Sequence, residues 1–281
     1  MTSYDRLVPI ATEDLPILRD LYKKNWPKYR IPYHTITHFT FWLETYNVED
    51  LLVWSLNDSW RENGTVIIKN HRDIHFATLD STQETLVRAL CLMDWSGGPL
   101  ICGFEEHFRP AIRKAAEIAN FPIVIEDSLK LFTLTREKAR ALQKVDLDEG
   151  LTIRRLTVED ASIANDLWRY KNSVTEVLLQ KMAKYNICYG AYTPTDKLVG
   201  WIFITPYGAI GVLHILEEFR GKKIAQALVI QMIKYLIDTF ADLEPYAFID
   251  ALNVASIKLF EKLGFEDQHE LGYFIYTNSD I

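Results

Sequence analysis

V-L-H-I-L-E-E-F-R-G-K-K-I-A-Q-A, residues 212–227, passes from an apolar segment through an acidic pair and a basic turn into a second apolar segment of different period. The continuous run Ile210–Leu216 reads as a strand. Beyond the turn, Ile224, Leu228, Met232, Tyr235 and Leu236 recur at three-to-four spacing, which predicts a helix ending near Phe240. A helix N-terminus presents unpaired N–H groups and the positive end of its dipole. Arg220, Lys222 and Lys223 add formal charge beside it, so the turn suits an anion, most naturally a phosphate. Three cations in a turn also read as a solvated face, and both readings stand at this point. Neither familiar nucleotide fingerprint is present, because the glycine spacing of the dinucleotide turn and the G-K-[ST] of a P-loop are missing.

Working outward, the chain has 281 residues, 48% of them hydrophobic, enough for two domains of ordinary size. The formal charge of -7, with acids and bases mixed throughout, argues against a nucleic-acid partner but permits an acidic small ligand in a local basic patch. Cys91, Cys102 and Cys188 form no C-x-x-C pair, and the histidines show no H-E-x-x-H spacing, so no metal is expected. No apolar leader and no membrane-length apolar run is seen, which predicts a cytoplasmic or nuclear protein without a membrane partner.

Along the first half, strands are expected at 7–10, 51–56, 65–69 and 74–79, and helices at 15–22, 82–93 and 105–120, with Thr12 as the cap of the first. Strand material at 123–135 precedes a charged break, T-R-E-K-A-R-A-L-Q-K-V-D-L-D-E-G, residues 135–150, read as a linker or linking helix. This places the domains at 1–146 and 147–281. The second half restarts with a strand at 151–156 and a capping box, Thr157 to Asp160. The same strand-then-cap pattern opens the chain at Arg6–Asp14, as a duplicated fold would require. Helices at 163–168 and 174–182 then lead to strands at 185–192, 198–205 and 210–216, joined by short turns and therefore antiparallel. A strand at 246–252, a helix at 253–263 and a strand at 271–277 complete a mixed α/β arrangement.

Two ordered motifs carry a resemblance. The first is R-G-K-K-I-A, residues 220–225; the second is N-V-A-S-I-K-L-F-E-K-L-G-F, residues 253–265. Together they resemble the GCN5-related N-acetyltransferase superfamily, over about 151–277. Arg220 and Ala225 fit the ends of its coenzyme A-binding pattern, while Lys223 stands where a glycine is usual. The stretch L-R-D-L-Y-K-K-N-W-P-K-Y-R-I-P-Y-H-T-I, residues 18–36, resembles the opening of the glycine N-acyltransferase-like group. Residues 1–146 would then be a degenerate partner domain, and 147–281 the catalytic one.

The resemblance implies a central, mostly antiparallel sheet with a splayed parallel strand pair, in tandem arrangement. It implies acetyl-coenzyme A or another acyl-coenzyme A as co-substrate, without a metal, and a small-molecule amine as acceptor, glycine or another amino acid among them. Direct attack without an acyl-enzyme is expected, in a monomer or weak homodimer. Leu213, His214, Ile215 and Leu216 would line the pantetheine arm; Phe219, Arg220, Gly221, Lys222, Lys223, Ile224 and Ala225 would take the pyrophosphate. Asn253 is either a cofactor contact or simply a helix N-cap. Phe260 stands near the cofactor where the family supplies a proton-donating tyrosine, and phenylalanine donates no proton. Tyr246, Tyr273 or a water is left as donor. His214 is the candidate base, with a structural role as the competing reading. Cys188, in an apolar strand without an acid or histidine beside it in sequence, is read as core.

Overall fold

A computed structural model describes residues 4–148, 150–168, 171 and 175–277. The first half runs β1 (Leu7–Pro9), α1 (Leu15–Leu21), α2 (Arg30–Thr45), β2 (Leu51–Leu56), the single turn α3 (Trp60–Asn63), β3 (Val66–Asn70), β4 (Asp73–Ala77), α4 (Glu84–Leu90), β5 (Leu100–Glu105), α5 (Arg109–Ala119) and β6 (Ile125–Thr133). A short helix, α6 (Arg136–Ala141), follows. The second half runs β7 (Thr152–Arg155), α7 (Val158–Asp166), α8 (Thr175–Tyr185), β8 (Tyr189–Tyr192), β9 (Leu198–Ile204), β10 (Ile210–Ile215), α9 (Ile224–Thr239), β11 (Tyr246–Ile249), α10 (Val254–Lys262) and β12 (Glu266–Tyr276). Apart from α3 and α6, the two halves repeat one order: strand, two helices, three strands, helix, strand, helix, strand.

By contacts the chain divides into two units, one of residues up to Ser128 with the stretch beginning at Glu270, the other Leu129–His269. In the first unit the strands follow the order β1-β2-β3-β4-β5-β12. All neighbours are antiparallel except β4 and β5, whose parallel ladder has only two pairs, Asp73 with Leu100 and Ile74 with Ile101. The second unit holds a four-stranded antiparallel sheet, β10-β9-β8-β7, and a further ladder in which β11 pairs with β6. The last strand of each repeat is therefore used in the other unit: β12 lies against β5, and β6 against β11.

The core of the second unit lies on both faces of its four-stranded sheet. Leu228, Met232, Ile233 and Leu236 of α9 pack with Ile202, Ile204, Ile210 and Ile215 on one face. Ala161, Ala164, Leu179 and Met182 of α7 and α8 pack with Trp201 and Phe203 on the other. The helical periods expected from the sequence are the ones that fill these faces.

Some expectations need correction. Of the two readings of the charged break after Thr135, linker and linking helix, the helix is present as α6, and it is not free. Thr135 caps α6 by accepting the Lys138 N–H, Ala139 is buried in the core of the second unit, and Arg136 donates to the carbonyls of Ile237, Phe240 and Leu243 at 2.7–2.8 Å. A guanidinium is well placed there, where the last carbonyls of α9 would otherwise go unsatisfied. Thr12 makes no cap, since residues 12–14 form a 3-10 turn and α1 begins after it without a side-chain bond. The Thr157–Asp160 capping box is present as expected. Val174, read as a helix start, lies outside the described residues.

Candidate active site

β10 is an edge strand with a β-bulge. Its register with β9 shifts by one between Gly211, opposite Phe203, and His214, opposite Trp201, so Val212 and Leu213 have no ladder partner of their own. Val212 takes φ +52°, a left-handed conformation that a β-branched side chain resists, at a cost of about 1–3 kcal/mol. The preceding glycine is the one sequence sign of this bulge. The extra residue lets Val212 pack toward Trp201 and Phe203 while Leu213 packs toward α9.

After the strand, the Leu216 N–H donates to the Val199 carbonyl, and Glu217–Phe219 make one 3-10 turn. Glu218 pairs with Lys197 at 3.2 Å, and the ammonium groups of Lys197 and Lys222 lie over the Phe219 ring, at 5.5 and 5.2 Å. Glu218 thus orders the loop. Arg220 turns its Nε back to the Ile215 carbonyl at 3.3 Å. Gly221 at φ +80° and Lys223 at φ +61° then swing the chain into α9. Lys223, at the position where the resembled pattern has glycine, adopts the left-handed conformation glycine would supply, at a cost of roughly 1–2 kcal/mol.

No side chain caps α9. The Ala227 N–H bonds the Lys223 carbonyl, so the N–H groups of Ile224, Ala225 and Gln226 sit at an open helix start. Nothing lies within 4 Å of the place a Cβ would occupy on Gly221. Arg220, Gly221, Lys222 and Lys223 are exposed, Ala225 is half-buried, and Ile224 is buried in the core. The arrangement offers close main-chain approach, several donors and three cations to one anion.

From α9 the chain returns as β11, which lies beside β10 without a ladder, each being the edge of its own sheet. A strand-helix-strand crossover of this kind brings two strands parallel. Tyr246 of β11 is buried, its hydroxyl donating to the Tyr207 carbonyl. His214 is half-buried and stacked on Trp201, with centroids 4.7 Å apart and planes at 22°. Partial burial, and then the Arg220 charge, lower its pKa from the ordinary imidazole value. The neutral ring that results can accept a proton. Asn253 is the N-cap of α10, its Oδ1 accepting the Ser256 N–H at 3.1 Å. Phe260 is buried in the core against Phe265.

His214, the turn, Tyr246 and Asn253 all belong to the second unit. Tyr273 is placed in the first unit, opposite Phe104 and beneath the Arg109 guanidinium at 4.7 Å. Cys188 is buried and donates to the Met182 carbonyl, as expected of a core thiol. Sequence reading missed the Val212 bulge, the Trp201 platform under His214 and the contribution of β6, whose Thr133 stands opposite Tyr246.

Residues 188–274, which contain the bulged strand, the turn and both crossover strands, match the family model described as FR47-like protein. The whole chain is similar to a Drosophila structural-genomics target, at 20% identity over 99% of this chain and 100% of that one, with a TM-score of 0.85. It is also similar to a tandem GNAT protein from the clavulanic acid biosynthesis pathway, at 13% identity over 96% and 97% of the two chains, with a TM-score of 0.57. The fold is that of the GCN5-related N-acetyltransferases. A GCN5-related N-acetyltransferase from Sphaerobacter thermophilus shares it at 12% identity over 100% of this chain and 98% of that one, TM-score 0.53. The splayed pair of this fold is β10 and β11, and its tandem form accounts for the repeated element order. No curated protein matches the chain. Among the described residues no helix is long and apolar enough to cross a membrane.

Proposed function

We propose that the protein is an acyl-coenzyme A-dependent N-acyltransferase. It moves an acyl group, acetyl by default, to the amine of a small molecule, and glycine or another amino acid is the acceptor class favoured by the sequence resemblance. The observation that carries this reading is the open, uncapped start of α9, with clear space over Gly221, at the end of a bulged strand beside an unladdered neighbour. The main chain of Gly221–Ala225 would hold a pyrophosphate by its amides, and the unpaired edge of β10 at Leu213–Leu216 would bond an amide-bearing arm. Acyl-coenzyme A supplies an activated thioester carbon.

In the transfer, the C–N bond forms as the C–S bond breaks. The amine proton passes to a base, and the departing thiolate takes a proton from a donor side chain or from water, or leaves as such. His214 is the proposed base, kept neutral by partial burial and by Arg220. Tyr246 is the proposed donor within β11, and its bond to the Tyr207 carbonyl must break for it to serve.

Calorimetry with acetyl-, benzoyl- and free coenzyme A, followed by thiol release against an amine panel that includes glycine, tests the reading. Binding with amine-dependent release is expected. No binding of any of the three overturns it. Phe260, buried where the resembled family has tyrosine, favours one second reading, a coenzyme A-binding protein without turnover. Binding without release on the whole panel supports that reading instead.

A further inference from the structure

In the first unit, Asp73, His75 and Cys102 each offer a ligand atom, and the three atoms lie within 4.8 Å of one another. We propose that these three residues bind a zinc-type divalent cation, independent of the acyl-transfer site. The register explains the grouping. Asp73 and His75 are two apart on β4 and so share a face. The parallel ladder pairs Asp73 with Leu100 and Ile74 with Ile101, which places Cys102 next to His75 on that same face. Ile74 and Ile101 point the other way, into the core against α4 and α5.

The chemistry of the set is selective. A thiolate, an imidazole and a carboxylate are the ligands zinc takes at about 2.0–2.3 Å, and tetrahedral geometry then sets ligand atoms roughly 3.3–3.8 Å apart. Small side-chain adjustments bring the observed group to that spacing. His75 and Cys102 are buried, and Asp73 is partly so. The His75 ring hydrogen-bonds the Cys102 main chain, which fixes the imidazole as a metal's outer partners do. The Cys102 thiol bonds the Asp73 carboxylate. On metal binding that S–H bond is replaced by S–Zn, and the proton leaves to water.

A cation here has a structural use. The β4–β5 ladder stops at Ile74–Ile101, and the metal would clasp the two strands at the next position along. Such a group leaves no C-x-x-C or H-x-x-H spacing in the sequence, because its ligands come from alternate residues of one strand and from a parallel neighbour.

The test is cobalt(II) titration of the full chain after removal of metals by a chelator. A thiolate-to-cobalt charge-transfer band with intense visible bands is expected, saturating at one cobalt per chain and displaced by zinc. The charge-transfer band should vanish in Cys102→Ser, and Asp73→Asn should weaken binding at least about 10-fold. Cys188→Ser, at a buried thiol that donates to the Met182 carbonyl, should leave it unchanged. Circular dichroism establishes that each variant is folded. A folded wild-type chain without the charge-transfer band overturns the proposal, as does the same band in Cys102→Ser. If Cys102→Ser does not fold, Asp73→Asn and Cys188→Ser decide: equal cobalt affinity in Asp73→Asn, or a band lost in Cys188→Ser, also overturns it.

Discussion

Each unit enters a helix through one left-handed residue, and the turns leading to it differ in backbone and in filling. In the second, Lys223 precedes α9 at φ +61°, ψ 6°; in the first, Gln83 precedes α4 at φ +59°, ψ 8°. Three residues earlier stand Arg220 and Asp80. The Asp80 carboxylate accepts the N–H and hydroxyl of both Thr82 and Thr85, at 2.7–3.1 Å. Burial alone would raise its pKa, but those bonds outweigh it and hold the group at about 2. The first turn therefore carries its own anion. The second has no internal acid, an open approach over Gly221 and cations around it. A left-handed cap residue thus ends a closed structural corner in one unit and a candidate anion site in the other, and the two are separated by the residue three before the cap and by Gly221, whose left-handed conformation Ser81 does not share.

The largest expected effect tests whether the sequence halves are independent. A fragment of residues 147–281 lacks β6 and α6, and with them Phe132, Leu134 and Ala139 of the second unit's core. Loss of the two large side chains alone costs roughly 5–10 kcal/mol, comparable to a whole domain's stability. Such a fragment should show no cooperative unfolding and no acyl-coenzyme A binding. Cooperative melting with retained binding would instead support 146/147 as a domain boundary.

Next comes the turn. Arg220→Asp should give the second unit the internal carboxylate of the first and weaken acyl-coenzyme A binding at least about 10-fold, near 1.4 kcal/mol. Unchanged calorimetric affinity would remove the anion site from this turn.

A smaller effect is expected of His214. With its pKa lowered, the acid limb of the rate profile should lie below the ordinary imidazole value near 6.5, because activity needs the neutral ring. His214→Gln should abolish that limb and lower turnover while leaving affinity nearly intact. Parallel losses of folding and activity would make the stack on Trp201 a packing contact only.

The smallest effect closes the comparison. Asp80→Asn should destabilise the first unit by about 1 kcal/mol, as loss of a helix cap does. The native pKa lies below the ordinary value of 3.8, so the contribution is fully present above that value and is lost as pH falls toward 2. Urea midpoints for wild type and variant should differ at pH 6 and converge near pH 2. A constant difference would assign the effect to shape, not charge.

Much of this molecule could be read from local patterns. The α9 stripe, the Thr157–Asp160 capping box, the apolar runs of β9 and β10 and the strand-then-helix start of each half all rest on interactions within a few residues. So does the basic turn, whose open amides follow from any helix start. The motifs at 220–225 and 253–265 add the fold's identity, because their residues serve main-chain geometry that side-chain type reports directly.

Tertiary structure decided the rest, since it depends on residues far apart in the chain. Thr135–Ala141 looks like a linker by composition, yet Arg136 finds three carbonyls more than a hundred residues away. The exchange of β6 and β12 is set by which edge each strand meets, and no local pattern records an edge. The Val212 bulge exists only against β9, and the Asp73–His75–Cys102 group only through the β4–β5 register. The sequence by itself determined which segments are strands, helices and turns, and where an anion suits the chain. Which strand completes which sheet, which turn stays open and which side chains meet were left to long-range pairing, where hydrogen bonds and burial are shared between partners that sequence distance hides.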